Sequence, residues 1–270
     1  MANKHGDFIW YELLTSEPQA AADFYGTVVG WTANKSDMPG MDYRLLHIGD
    51  HDVGGLMAIT PDMAAGGAKP GWLGYVGVDD VNKMAASIAD GGGTILMEPQ
   101  DIPDVGRFAM VADPQGAPFY IMRGASDETS MAFSYDKPRV GHCAWNELST
   151  TDPAAALHFY GQRFGWVKDG DMDMGPMGKY EFLRHVGHAP DGSPPGQGML
   201  GAVMPKMPQM PVSAWTYYFR VADVDAAVAT IIANGGTVTQ EPIEIPGGDF
   251  SMNALDPQGA SFALVGSRKG

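Results

Sequence analysis

Hydrophobic and polar positions change their period along the chain, and the order of those changes repeats. A short strand rich in apolar residues is predicted at about 7–14, a helical spacing follows, and the same succession returns from about 142. Phe24 and Val28 sit one turn apart on a core-facing stripe, as do Phe159 and the stem of Arg163. Glu17–Pro18 and Asp152–Pro153 place proline at a first helical position, where its missing N–H costs nothing. Gly30 and Gly165 stand where each helix should end with positive φ. Short strands are predicted at about 41–49 and 53–59, and again at 178–186 and 198–204. A second strand–helix pair follows, with residues 72–79 alternating and Val81, Met84, Ala85 and Ile88 at helical spacing. Strands around 94–98, 107–112 and 117–122 complete the run, and residues from Trp215 to Val265 repeat it.

The repetition extends to residue identity. Residues 8–31 recur as 143–166 with twelve of 24 positions identical, and residues 72–123 recur as 215–266. A period near 140 residues is too long for a solenoid repeat and fits a duplicated domain. Each half reads as strand–helix–three strands performed twice, so the chain carries four βαβββ units in an α+β fold. The expected division is a first domain at 1–124, a linker at 125–140 and a second domain at 141–270. A stretch at about 187–213, rich in Gly, Pro and Met, reads as a spacer or as a lid.

Bulk properties narrow the function. The 270 residues are 44% hydrophobic and 18% charged, enough for folded cores. Lys and Arg number 17 against 32 Asp and Glu, a formal charge of −15 that repels phosphate backbones and anionic lipid. Neither nucleic acid nor a membrane is expected as a partner. The single cysteine, Cys143, cannot form an intramolecular disulfide, and no long apolar run or leader pattern is present. These features predict a soluble cytoplasmic protein, monomer or homodimer.

The Phe-Tyr…Gly-Trp helix endings, the Val-Asp-Asp-Val and Val-Ala-Asp-Val junctions and the two Asp-Pro-Gln-Gly turns resemble the vicinal oxygen chelate superfamily. That superfamily includes glyoxalase I, bleomycin-resistance proteins and extradiol dioxygenases. The resemblance implies paired βαβββ units forming a curved, incompletely closed sheet with helices outside. It also implies metal ligands on the first and last strands of the units. Counted onto this chain, those positions fall on Trp10, Trp145, Tyr120 and Ala263, and near Leu73, Thr216, Gly55 and Met199. None is a His or a carboxylate, so no metal and no cofactor are expected there. The pairs His47 with His51 and His185 with His188 fall in hairpin regions and read as solvated surface residues.

Strand alternation gathers other chemistry on the same face. Glu12 follows Trp10 at i+2, and Glu147 follows Trp145; the second units add Tyr75 and Tyr218, with Tyr120 and Thr216 beside them. Trp and Tyr in a sheet most often pack, and the helix-end Tyr25, Trp31, Tyr160 and Trp166 read as structural. An aromatic wall with one carboxylate also suits a small cationic or aromatic organic ligand. Glu12 and Glu147 are then the candidate catalytic groups, and Trp10, Tyr75, Tyr120, Trp145, Thr216 and Tyr218 the candidate ligand contacts. If one half works alone, the more aromatic first half is favoured. Three functions stay open: a metal-free binding protein, an isomerase or lyase with Glu as general base, and a metal enzyme with displaced ligands.

Overall fold

The structure, a computed structural model, describes residues 3–36, 41–135, 137–194 and 196–269. The first repeat runs β1 (Phe8–Thr15), α1 (Pro18–Val28), β2 (Thr32–Lys35), β3 (Tyr43–Ile48), β4 (His51–Ala58), α2 (Pro61–Ala65), β5 (Gly71–Gly77), α3 (Val81–Asp90), β6 (Thr94–Ile102), β7 (Gly106–Ala112) and β8 (Pro118–Gly124). The second runs β9 (Cys143–Thr150), α4 (Pro153–Phe164), β10 (Trp166–Asp173), β11 (Lys179–His185), β12 (Met199–Pro205), β13 (Ala214–Val221), α5 (Val224–Ala233), β14 (Thr237–Glu244), β15 (Phe250–Leu255) and β16 (Ser261–Gly266). Four βαβββ modules are present. They build two eight-stranded mixed sheets, in the orders β2-β3-β4-β1-β5-β8-β7-β6 and β10-β11-β12-β9-β13-β16-β15-β14.

Local chemistry explains the helix ends. The side chains of Asp80, Asp152 and Asp223 accept backbone N–H groups of Lys83, Ala155 and Ala226, satisfying donors the helix cannot. Gly30 and Gly165 take φ of 91° and 67°, where a side chain would be strained. Two edge strands, β2 and β10, were not located by periodicity. They are short or largely exposed on both faces, so neither shows a clean alternation.

Contacts divide the chain into two compact units, and each unit draws on both repeats. One holds residues up to Ile9, Gly74–Ser130 and Trp145–Trp215; the other holds Trp10–Leu73, Met131–Ala144 and Thr216 onward. The repeated Asp-Pro-Gln-Gly-Ala turn shows how the repeats join within a unit. In the first unit, Tyr160 of α4 donates its hydroxyl to Asp113 Oδ2 at 3.1 Å and accepts from Trp215 Nε1 at 3.1 Å. Asp113 Oδ1 meanwhile accepts the Gln115 and Ala117 amides, both at 2.9 Å, which shapes the turn before β8. In the second unit Tyr25 donates to Asp256 at 3.1 Å and accepts from Trp72 at 3.0 Å. Asp256 closes its own turn through Gln258 and Ala260. Both aspartates are buried, and burial pushes their carboxyl pKa values up.

The helix-end tryptophans have matching duties. Trp166 Nε1 donates to Gly6 O at 2.9 Å, and Trp31 Nε1 to Gly141 O at 2.6 Å. All four helix-end aromatics are buried, each with a polar tip bonded. Among the described residues no helix is long and apolar enough to cross a membrane.

Candidate functional site

In the first unit, β9 carries Trp145 and Glu147 two residues apart, both half-buried. Tyr180 of β11 joins them. Its hydroxyl accepts from Trp145 Nε1 at 2.7 Å and donates to Glu147 Oε2 at 2.8 Å. A carboxylate held by a phenol that is itself held by an indole is charge-assisted and oriented. Tyr75 and Tyr120, on adjacent parallel strands, stack with ring centroids 4.3 Å apart and planes at 19°. Both are buried.

In the second unit, Trp10 Nε1 donates to the Tyr43 hydroxyl at 3.1 Å. Glu12 pairs in register with Gly55 of β4 and is 4% exposed. The tip of the Tyr43 ring lies over Gly55, in space that any Cβ there would occupy. Tyr218 is buried opposite Ala263 of β16, and Thr216 is half-buried. Trp10 and Glu12 thus belong to one unit, and Tyr75 and Tyr120 to the other. Arg220, at the position matching Gly77, is engaged by Asp249 through two bonds of 2.7 and 3.2 Å.

Register corrects one expected position. Glu12 pairs with Gly55, whereas Glu147 pairs with Ala202, three residues past Met199. Two functional candidates were missed altogether, Tyr43 and Tyr180. They recur at an offset of 137 (180 − 43), which comparison at the two dominant offsets passes over.

A second missed cluster lies in the first unit. Asp7 and His185 are buried at 5% and 2% exposure, and His188 is half-buried. Asp7 Oδ1 accepts from His188 Nε2 at 2.7 Å and lies 3.7 Å from His185 Nε2. Asp7 Oδ2 accepts the Lys4 amide at 2.6 Å. The Gly187 amide donates to His185 Nδ1 at 2.8 Å, which leaves Nε2 to carry the proton and donate to His5 O at 2.9 Å. Burial pushes the His185 pKa down, so its neutral form is favoured. The expectation of a solvated histidine pair is therefore wrong for His185. The N-terminal residues covering it are remote in sequence, and nothing in the hairpin itself signals them. His47 is half-buried beside Asp52, and the His51 ring lies 5.6 Å from that of His142.

Comparison with known proteins places this geometry. The profile of the Glyoxalase/Bleomycin resistance protein/Dioxygenase superfamily matches residues 8–121 and 139–264, and the chain belongs to that superfamily. It is 30% identical over 97% of its length to anthracycline biosynthesis protein DnrV of Streptomyces peucetius, covering 93% of that protein. A 129-residue stretch, 47% of the chain, is 43% identical to 48% of the putative glyoxylase CFP32 of Mycobacterium tuberculosis. The fold resembles the Mn(II)-bound glyoxalase from Novosphingobium aromaticivorans, with a TM-score of 0.64 at 14% identity, over 98% of this chain and 83% of that one.

Proposed function

We propose that the chain binds a small aromatic or cationic organic molecule against its Trp–Tyr–Glu sets, without a metal at the sheet positions used by relatives of its fold. The observation that carries this reading is the Tyr180 hydroxyl, set between Trp145 and Glu147. An indole and a phenol offer flat faces to a ring system or a cation, and the carboxylate offers one charge-assisted bond. Glu147 is half-buried where Glu12 is almost enclosed, which favours the second repeat's set over the first's. A formal charge of −15 raises the local concentration of cationic ligands. The similarity to an anthracycline biosynthesis protein over nearly the whole chain supports a polycyclic aromatic ligand.

The donors at the family's metal positions decide whether an ion fits there. Trp10, Trp145 and Leu73 offer no lone pair, and Gly55, Ala202 and Ala263 offer no side-chain donor. The hydroxyls of Thr216 and Tyr120 are poor ligands for a divalent ion. These residues do not fit one.

A second reading follows from the same bond. Glu147 acts as general base beside a ligand carbonyl, and the Tyr180 hydroxyl turns from Glu147 to donate its single proton to the developing oxyanion. Calorimetric titration with anthracyclines, with and without an amino sugar, tests both. Tyr180→Phe should weaken binding about tenfold, and Glu147→Gln should weaken the amino-sugar compounds most. If the second reading holds, Glu147→Gln abolishes turnover while leaving affinity for a neutral ligand nearly intact. Binding that ignores both substitutions would remove the proposal.

A further inference from the structure

The two units offer the same local frame twice, and among the described residues only one of them fills it with an Asp/His/His set. Gly6 and Gly141 occupy matching positions: each accepts a helix-end indole, and each donates its amide across to Gly77 O or Arg220 O. Asp7 follows the first glycine and His142 the second. Pairing sets His185 abreast of Trp166; with Thr32 opposite His47, Ile48 falls abreast of Trp31 in the same way. Three residues on, in each turn, stand His188 and His51. The frame therefore holds Asp7, His185 and His188 in one unit, and His142, Ile48 and His51 in the other. The second unit keeps the glycine–tryptophan bond without the Asp/His/His set, so the set is not a requirement of the fold.

We propose that Asp7, His185 and His188 form a binding site for a divalent transition metal of the zinc class, built from residues other than the aromatic walls. One donor atom from each of the three lies within 4.8 Å of the others. Two imidazoles and a carboxylate are the donor set that zinc, cobalt and nickel accept, and three protein ligands leave a position for water. Separations of 2.7 and 3.7 Å from Asp7 Oδ1 to the two imidazole nitrogens bracket those between neighbouring ligands of a tetrahedral ion, about 3.3 Å. His188 is half-buried, which leaves a path for an ion. Binding has internal costs, the first being the bond from His185 Nε2 to His5 O. A metal on His185 Nε2 moves the ring proton to Nδ1, so the Gly187 amide must leave that nitrogen. The loop after β11 is the part that gives way. This inference does not depend on the ligand reading above.

The test uses the full chain, stripped of metal and titrated with Co²⁺ and Zn²⁺ by calorimetry and visible absorption. Wild type should take up one ion per chain with a Kd below about 10 μM and melt at higher temperature when loaded. His185→Ile installs the residue the other unit already carries, so it should fold; it and Asp7→Asn should weaken binding at least about 100-fold. Tyr180→Phe and Glu147→Gln should leave metal affinity unchanged. No uptake by wild type at about 100 μM ion overturns the proposal. So does uptake that survives Asp7→Asn and His185→Ile, or that is lost in Glu147→Gln alone.

Discussion

The two compact units differ least where they hold themselves together and most where a pair of histidines meets the N-terminal segment. Tyr160, Asp113 and Trp215 make the same three-residue chain as Tyr25, Asp256 and Trp72, with matching lengths. Each chain ties a helix of one repeat to a turn of the other. Duplicated residues such as Asp113 and Tyr25 are therefore kept for assembly. The aromatic walls are an intermediate case: Trp10–Tyr43 and Trp145–Tyr180 keep the indole–phenol bond, while their carboxylates differ in exposure. At the third place one unit has Asp7 and His185 where the other has His142 and Ile48. Retention in both units marks structure, and divergence between them marks specialised chemistry.

The largest effect should come from breaking either ties. Asp113→Ala leaves a buried hydroxyl and two turn amides without their acceptor and should cost about 3 kcal/mol, read by chemical denaturation. Asp256→Ala should cost about the same in the other unit. A gap of more than about 2 kcal/mol between them would show that the two ties are not equivalent. Next comes a transplant. Ile48→His with His142→Asp, beside the native His51, should raise Co²⁺ uptake from one ion per chain to two; a stoichiometry that stays at one breaks the positional comparison. A smaller effect separates the walls: Tyr180→Phe should reduce ligand affinity about tenfold, and Tyr43→Phe about threefold or less. Equal losses would return the first repeat to equal standing.

The smallest effect is in pH dependence. Burial raises the pKa of Asp113 and Asp256 above the ordinary 3.8. The folded chain holds these protons more tightly than the unfolded chain. Stability from this source is complete below the unfolded value and is lost as pH climbs through the raised folded value. Measured against the double variant Asp113→Asn/Asp256→Asn, wild type should gain about 1–3 °C in Tm as pH falls from about 7 to about 4. A relative loss over that range would mean that the Tyr and amide bonds outweigh burial.

Much of the fold could be read before any coordinates, because a chain that repeats itself supplies its own alignment. The four modules, the prolines that open α1 and α4, the glycines that follow those helices and the turns before β8 and β16 all follow from periodicity and repeated residues. Edge strands such as Thr32–Lys35 were not located, since exposure on both faces erases alternation. The joining of the repeats was also hidden. Tyr25 and Asp256 are 231 residues apart, and periodicity carries no record of such a pairing. For the walls, Trp145 and Glu147 were visible through i, i+2 spacing on one strand. Tyr180, which links them, sits on a different strand at a third offset. The Asp7 cluster was least legible, because His185 looks like a hairpin residue until the N-terminal segment is laid over it.

The central claim is that the first unit presents Trp145, Tyr180 and Glu147 to a small organic molecule. A crystal structure of the chain soaked with an anthracycline bearing an amino sugar tests it most directly. Ligand density within hydrogen-bond reach of the Tyr180 hydroxyl or the Glu147 carboxylate, with a ring system lying on the Trp145 face, is the predicted result. Ordered ligand elsewhere on the chain, or no ligand density against Trp145, Tyr180 and Glu147 at saturating ligand, would contradict it.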